Sequence, residues 1–72
     1  MRNITESDFT LTKTAFGYTV RWKHNNRVVS RTRGVDAKKR AIGFIDFLVK
    51  WYASEGYRID KDGYIEKGEG VK

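Results

Sequence analysis

The 72-residue chain has no cysteine, no proline and a single histidine, His24. Without cysteine there are no disulfides and no thiolate metal sites, a composition that suits a reducing compartment. One histidine makes no cluster with metal-ligand spacing, and no nucleophile–base pair is legible. The sequence therefore predicts no enzyme, no metal and no cofactor. Long hydrophobic runs are missing too. The most apolar segment, "AIGFIDFLVKWYA", is interrupted by Asp46 and Lys50 and is too short to span a bilayer. No apolar run follows Met1-Arg2, so no secretory signal is expected, and the reading is a cytoplasmic protein with no membrane partner. With no repeat or low-complexity tract, residues 1–72 read as one small domain without an internal linker. Its polar ends, about 1–7 and 67–72, are expected to fray.

What the chain does have is positive charge, unevenly placed. Residues 21–40, "RWKHNNRVVSRTRGVDAKKR", hold eight Lys or Arg against one Asp, +7 in a chain whose net charge is +6. Asp60-Lys61-Asp62-Gly63 is the one acidic grouping with a faint likeness to a calcium loop. It lacks a third acidic ligand and a closing Glu, and Lys61 opposes a cation, so it reads as a solvated turn.

Alternation of apolar and polar residues predicts strands over 9–13 (FTLTK) and 18–23 (YTVRWK), and a β-rich run over 27–33 (RVVSRTR). The faces of the third strand follow from hairpin parity, since directly opposed residues share a face. An even-length loop would set Val29, Arg31 and Arg33 beside Trp22, Val20 and Tyr18, burying two arginines in a thin core, which costs several kcal/mol. An odd loop, His24–Asn26, most simply with a bulge, pairs Trp22 with Val28, Val20 with Ser30 and Tyr18 with Thr32. It gathers Arg21, Lys23, Arg27, Arg31 and Arg33 on the opposite face. Tyr18 and Trp22 are then core residues rather than a stacking platform.

A long helix is expected over about residues 37–55, capped by the side chain of Asp36 and closed by Gly56 in the left-handed C′ position, with Tyr57 reaching back to Tyr52. Ala37, Ala41, Phe44, Ile45, Leu48 and Tyr52 form its apolar stripe, widened by Phe47 and Trp51 on one side and Ile42 and Val49 on the other. Lys39, Gly43, Asp46, Lys50 and Ser54 make the polar strip. One sheet cannot cover so wide an apolar arc. A short C-terminal β-hairpin over about 57–66 is expected to fold Tyr57, Ile59, Tyr64 and Ile65 over the Phe47/Trp51 edge, which favours a monomer over a homodimer. The predicted fold class is thus α+β, a three-stranded antiparallel sheet on one long helix followed by a hairpin.

A basic face rich in arginine, with Thr10, Thr12 and Thr19 and with Lys38 and Lys39 nearby, suits phosphate oxygens and guanine edges. Residues 9–45 resemble, in order and spacing of elements, the AP2-type and integrase N-terminal DNA-binding domains: strand, turn, "GYTVRWK", turn, "RVVSRTR", then an Asp-capped helix. That resemblance implies a sheet lying in the major groove of DNA. It makes Arg21, Lys23, Arg31 and Arg33 the sheet contacts, with Arg27, Lys38 and Lys39 on flanking phosphates. The plant-type glycine and tryptophan signature is missing. The expected function is nucleic-acid binding, double-stranded DNA above all, by a small regulatory or recombination-type factor. The alternative is a small protein-binding regulator, such as a phage-type inhibitor docking on an acidic host protein through Phe47 and Trp51.

Overall fold

The computed structural model describes residues 2–67. Its elements run β1 (Arg2–Asn3), one turn of 3-10 helix (Glu6–Asp8), β2 (Phe9–Lys13), β3 (Gly17–Trp22), β4 (Arg27–Arg33), α1 (Ala37–Ser54), β5 (Tyr57–Ile59) and β6 (Ile65–Lys67). The fold is α+β: two antiparallel three-stranded sheets, ordered β2-β3-β4 and β1-β5-β6, with α1 packed against both. The three expected strands, the helix and the C-terminal hairpin are all present, each within a residue of its expected bounds.

Alternation decides what the larger sheet buries. Phe9 lies opposite Trp22 and Leu11 opposite Val20. Phe9, Val20 and Trp22 enter a core completed by Ala41 and Ile45 of α1, by Ile4 just after β1 and by Ile59 of β5. Ala37 and Ala41 are buried small residues that let the helix lie close to the strands. Two side chains tie the start of α1 to β4. Thr32 Oγ1 donates to the Ala37 carbonyl at 2.8 Å, and the Arg40 guanidinium donates to the Arg33 carbonyl.

The register of the β3–β4 hairpin keeps the expected parity by a different route. Val20 pairs with Ser30 and Tyr18 with Thr32, but Trp22 pairs with Arg27 rather than Val28. The loop therefore has four residues, Lys23–Asn26, and the odd residue is Val29, left without a partner at a bulge inside β4. Asn26 takes the left-handed turn position, at φ 61°. The bulge keeps Arg31 and Arg33 out of the core, as the parity argument demanded. It also exchanges the two residues on its far side. Val28, expected under Trp22, lies opposite Arg21, and Arg27, expected beside Arg21, lies opposite Trp22.

Three further expectations are corrected. Residues 1–7 were expected as a loose polar end, yet Arg2 and Asn3 pair with Ile59 and Arg58 to form β1, and Ile4 is a buried core residue. Of the C-terminal end expected to fray, Lys67 pairs with Tyr57, and 68–72 lie outside the described residues. Asp36 does hold the N-cap position, but its side chain makes no capping bond; its carbonyl accepts the first helical bond, from Arg40 N–H at 2.9 Å. The other end of α1 is as expected. Gly56 has φ 78°, and Tyr57 packs edge-on against Tyr52 with ring centroids 5.8 Å apart.

Candidate nucleic-acid interface

Helix α1 and the smaller sheet both pack on the inner face of β2-β3-β4, so the outer face has no second layer among the described residues. That outer face carries Thr10 and Thr12 of β2, Thr19 and Arg21 of β3, and Val28, Arg31 and Arg33 of β4. Thr19 is directly opposite Arg31, which sets Arg21 diagonally across from it, about 7–8 Å away at the Cα atoms. Arg33 follows two residues along the same strand. The three arginines thus form an oblique row.

Arg21 sits on the central strand and is half-buried, while Arg31 and Arg33 on the edge strand are exposed. Neighbours shield the Arg21 Nε from solvent, and it is the one such side-chain atom among the described residues without a hydrogen-bond partner. Part of its guanidinium is therefore drawn in among its neighbours, with that N–H left unsatisfied. The ion pairs among the described residues are Arg2–Asp8 and Asp46–Lys50, with His24 hydrogen-bonded to Asp8. None involves any of the seven cations picked out from the sequence.

Those seven do not all come together. Arg21, Arg31 and Arg33 do, with exposed Lys23 following at the end of β3. Arg27 is displaced to the inner side, where it lines a cleft of about 320 Å³ with Phe9, Trp22, Tyr52 and Tyr64. Lys38 lies at the other end of the sheet, in one groove with Lys13 and Phe16. Lys39 belongs to the polar strip of α1 with Gly43, Asp46 and Lys50, pointing away from the sheet, so the helix stands between it and the arginine row.

Three features escaped the sequence reading. Phe16, at the tip of the β2–β3 turn, is 76% exposed beside Arg31 and Arg33, although no outward aromatic was expected. Lys13 ends β2 near Lys38. The third is Asp8, whose buried carboxylate accepts from Arg2 Nη1 and Nη2 at 2.8 and 2.5 Å, from the Thr5 amide at 2.9 Å and bonds His24 Nε2 at 2.9 Å. The Arg2 guanidinium, helped by the Thr5 amide and His24, holds the Asp8 carboxyl well below the usual carboxylate range against the opposing effect of burial. Asp8 thereby fixes the N-terminus to the β3–β4 loop, whose Lys23 N–H also bonds the Asp8 carbonyl at 2.9 Å.

The hydrophobic edge of α1 is only partly covered. Tyr57 stacks on Trp51 with centroids 5.7 Å apart, and Ile59 is buried in the core. Tyr64 and Ile65 line the Arg27 cleft instead of lying on Phe47, which remains 58% exposed with Phe44 as its aromatic neighbour. Among the described residues no helix is long and apolar enough to cross a membrane, and no group of acidic, histidine or cysteine residues is arranged to hold a metal. No family model matches the chain, and neither a curated protein nor a solved structure does.

Proposed function

We propose that this protein binds nucleic acid, double-stranded DNA above all, on the uncovered face of its larger sheet. One observation carries the reading: Arg21, Arg31 and Arg33 share that face and make no ion pair among the described residues. Like charges on neighbouring strands destabilise a sheet, and a polyanion removes that repulsion. The exposed Thr10 and Thr12 hydroxyls on β2, beside the row, add short-range donors and acceptors for phosphate or base edges, while Thr19 between the arginines is buried. A sheet backed by a helix, with its other face open and basic, is also what the resemblance to AP2-type and integrase N-terminal domains implies. Phosphate contacts would come from Arg31, Arg33, Lys23 and Lys38, and base contact from Arg21 at the inner end of the row.

Fluorescence anisotropy of a random-sequence duplex, titrated across a salt series, tests this. Nonspecific binding with Kd about 1–100 µM near physiological salt is expected, with log K falling about 0.9 per phosphate contact for each tenfold rise in salt. The Arg31→Ala/Arg33→Ala variant should flatten that slope by about 1.8. A wild-type protein that does not bind at low salt would end this reading.

A second reading, docking on another protein, has the exposed Phe47 and the 42% exposed Trp51 in its favour. It predicts binding that is lost in Phe47→Ala/Trp51→Ala and retained in Arg31→Ala/Arg33→Ala, the reverse of the pattern for DNA.

A further inference from the structure

Phe16 has no structural task that the fold reveals. It belongs neither to the core nor to any aromatic pair among the described residues. Yet the turn that carries it is fixed. Thr14 N–H bonds the Gly17 carbonyl at 2.8 Å, Gly17 N–H bonds Thr14 Oγ1 at 3.1 Å, and Gly34 N–H bonds the Phe16 carbonyl at 3.2 Å. Gly17 adds to this, because a Cβ there would lie 1.9 Å from the Thr32 carbonyl oxygen. The backbone approach that glycine permits presses the turn against β4.

Phe16 borders two grooves. One, about 190 Å³, is lined by Phe16 with Thr14, Thr19, Arg31 and Arg33. The other, about 350 Å³, is lined by Phe16 with Lys13, Gly34, Val35 and Lys38. A flat apolar surface is thus flanked by two pairs of cations. A simple anion has no use for the ring, and an apolar partner has no use for four cations. A nucleic-acid strand offers what both halves need, a planar base with a phosphate on either side.

We infer that Phe16 is a base-stacking residue, taking an unpaired or easily unstacked base while Arg31 and Arg33 hold the phosphate on one side and Lys13 and Lys38 that on the other. This rests on the nucleic-acid reading and deepens it. A fully paired duplex must first lose stacking before Phe16 can enter, so a duplex with one unpaired base binds more tightly than its paired counterpart.

The test compares Phe16→Ala, Phe16→Trp and wild type on those two duplexes across a salt series. Phe16→Ala should lose about five- to a hundredfold in affinity for the unpaired-base duplex, and with it the preference over the paired one. Its salt slope should stay at the wild-type value, because stacking releases no counterions, whereas Arg31→Ala/Arg33→Ala lowers the slope. Phe16→Trp should restore the preference. Circular dichroism and thermal midpoints should match wild type, since the ring packs on nothing in the core. If Phe16→Ala keeps both affinity and preference, the stacking role falls and the nucleic-acid reading stands. If wild type binds neither duplex at low salt, both fall. Phe16-dependent pelleting with phosphatidylserine vesicles, or Phe16-dependent self-association, with no preference for the unpaired base, would overturn the inference in favour of a membrane or a second copy.

Discussion

Asp8 is buried, yet it keeps its charge because four hydrogen bonds reach its carboxylate, from residues 2, 5 and 24. Its folded pKa lies below its unfolded value, so the unfolded chain takes up the proton first. The stability this group contributes is complete above about pH 4 and drains away as pH falls below it. Urea unfolding at neutral pH should find Asp8→Asn less stable by about 1–3 kcal/mol, since the uncharged amide cannot satisfy the same donors. Between about pH 4 and pH 2 the wild type should lose more stability than Asp8→Asn, and parallel losses would remove Asp8 from the account. His24, bound to Asp8, also touches the far end of the chain. A Cβ on Gly63, which has φ +88°, would lie 2.7 Å from the His24 ring. Gly63→Ala therefore combines an unfavourable backbone with a clash and should cost about 1–2 kcal/mol or more by thermal denaturation. None of this was legible in the sequence. Gly63 reads only as part of a turn, and Asp8 meets His24 sixteen residues on, a contact that no local pattern announces.

At the scale of elements, what the sequence carries well is parity and period. Tyr18, Val20 and Trp22 alternate with Thr19 and Arg21, and the need to keep Arg31 and Arg33 out of the core assigns the faces of residues 30–33 from the sequence alone. Where the odd residue would sit was not decided by that argument, because a bulge and an odd loop satisfy it equally. The misplacement of Arg27 and Val28 follows from this one ambiguity. β1 was invisible for a simpler reason: Arg2–Asn3 is two residues long, too short to show any alternation. The helix was the most legible element, and its solvent side gives a clean prediction. Nothing lies within 4 Å of a Cβ built on Gly43, which is helical and faces away from the sheet. Gly43→Ala should stabilise the protein by about 0.5–1 kcal/mol, seen as a higher urea midpoint, and leave DNA affinity unchanged. A loss of stability would mean that this face is covered.

For the whole molecule the decisive quantity is how charge is distributed. The net charge is +6, while Asp8 and Asp46 are taken up by Arg2, His24 and Lys50. The arginine row is left to repel itself at tenths of a kcal/mol per neighbouring pair. Salt should therefore act with opposite signs on the free protein and on its complex. Raising NaCl from about 20 to about 300 mM shortens the Debye length to less than the spacing of the row's outer members. The free protein's thermal midpoint should rise by about 2–6 °C, since 1 kcal/mol corresponds to about 4–8 °C in a domain of this size. Added duplex should raise the midpoint further at low salt, by mass action on the folded state, and that increment should vanish at high salt as phosphate contacts lose their counterion-release advantage. Arg31→Ala/Arg33→Ala should start from a higher midpoint at low salt, respond less to NaCl and gain little from DNA. A midpoint in the free wild type that does not move with salt would mean the arginines are spaced widely enough to ignore one another. The sheet face would then be an ordinary solvated surface with no stored repulsion for a polyanion to relieve.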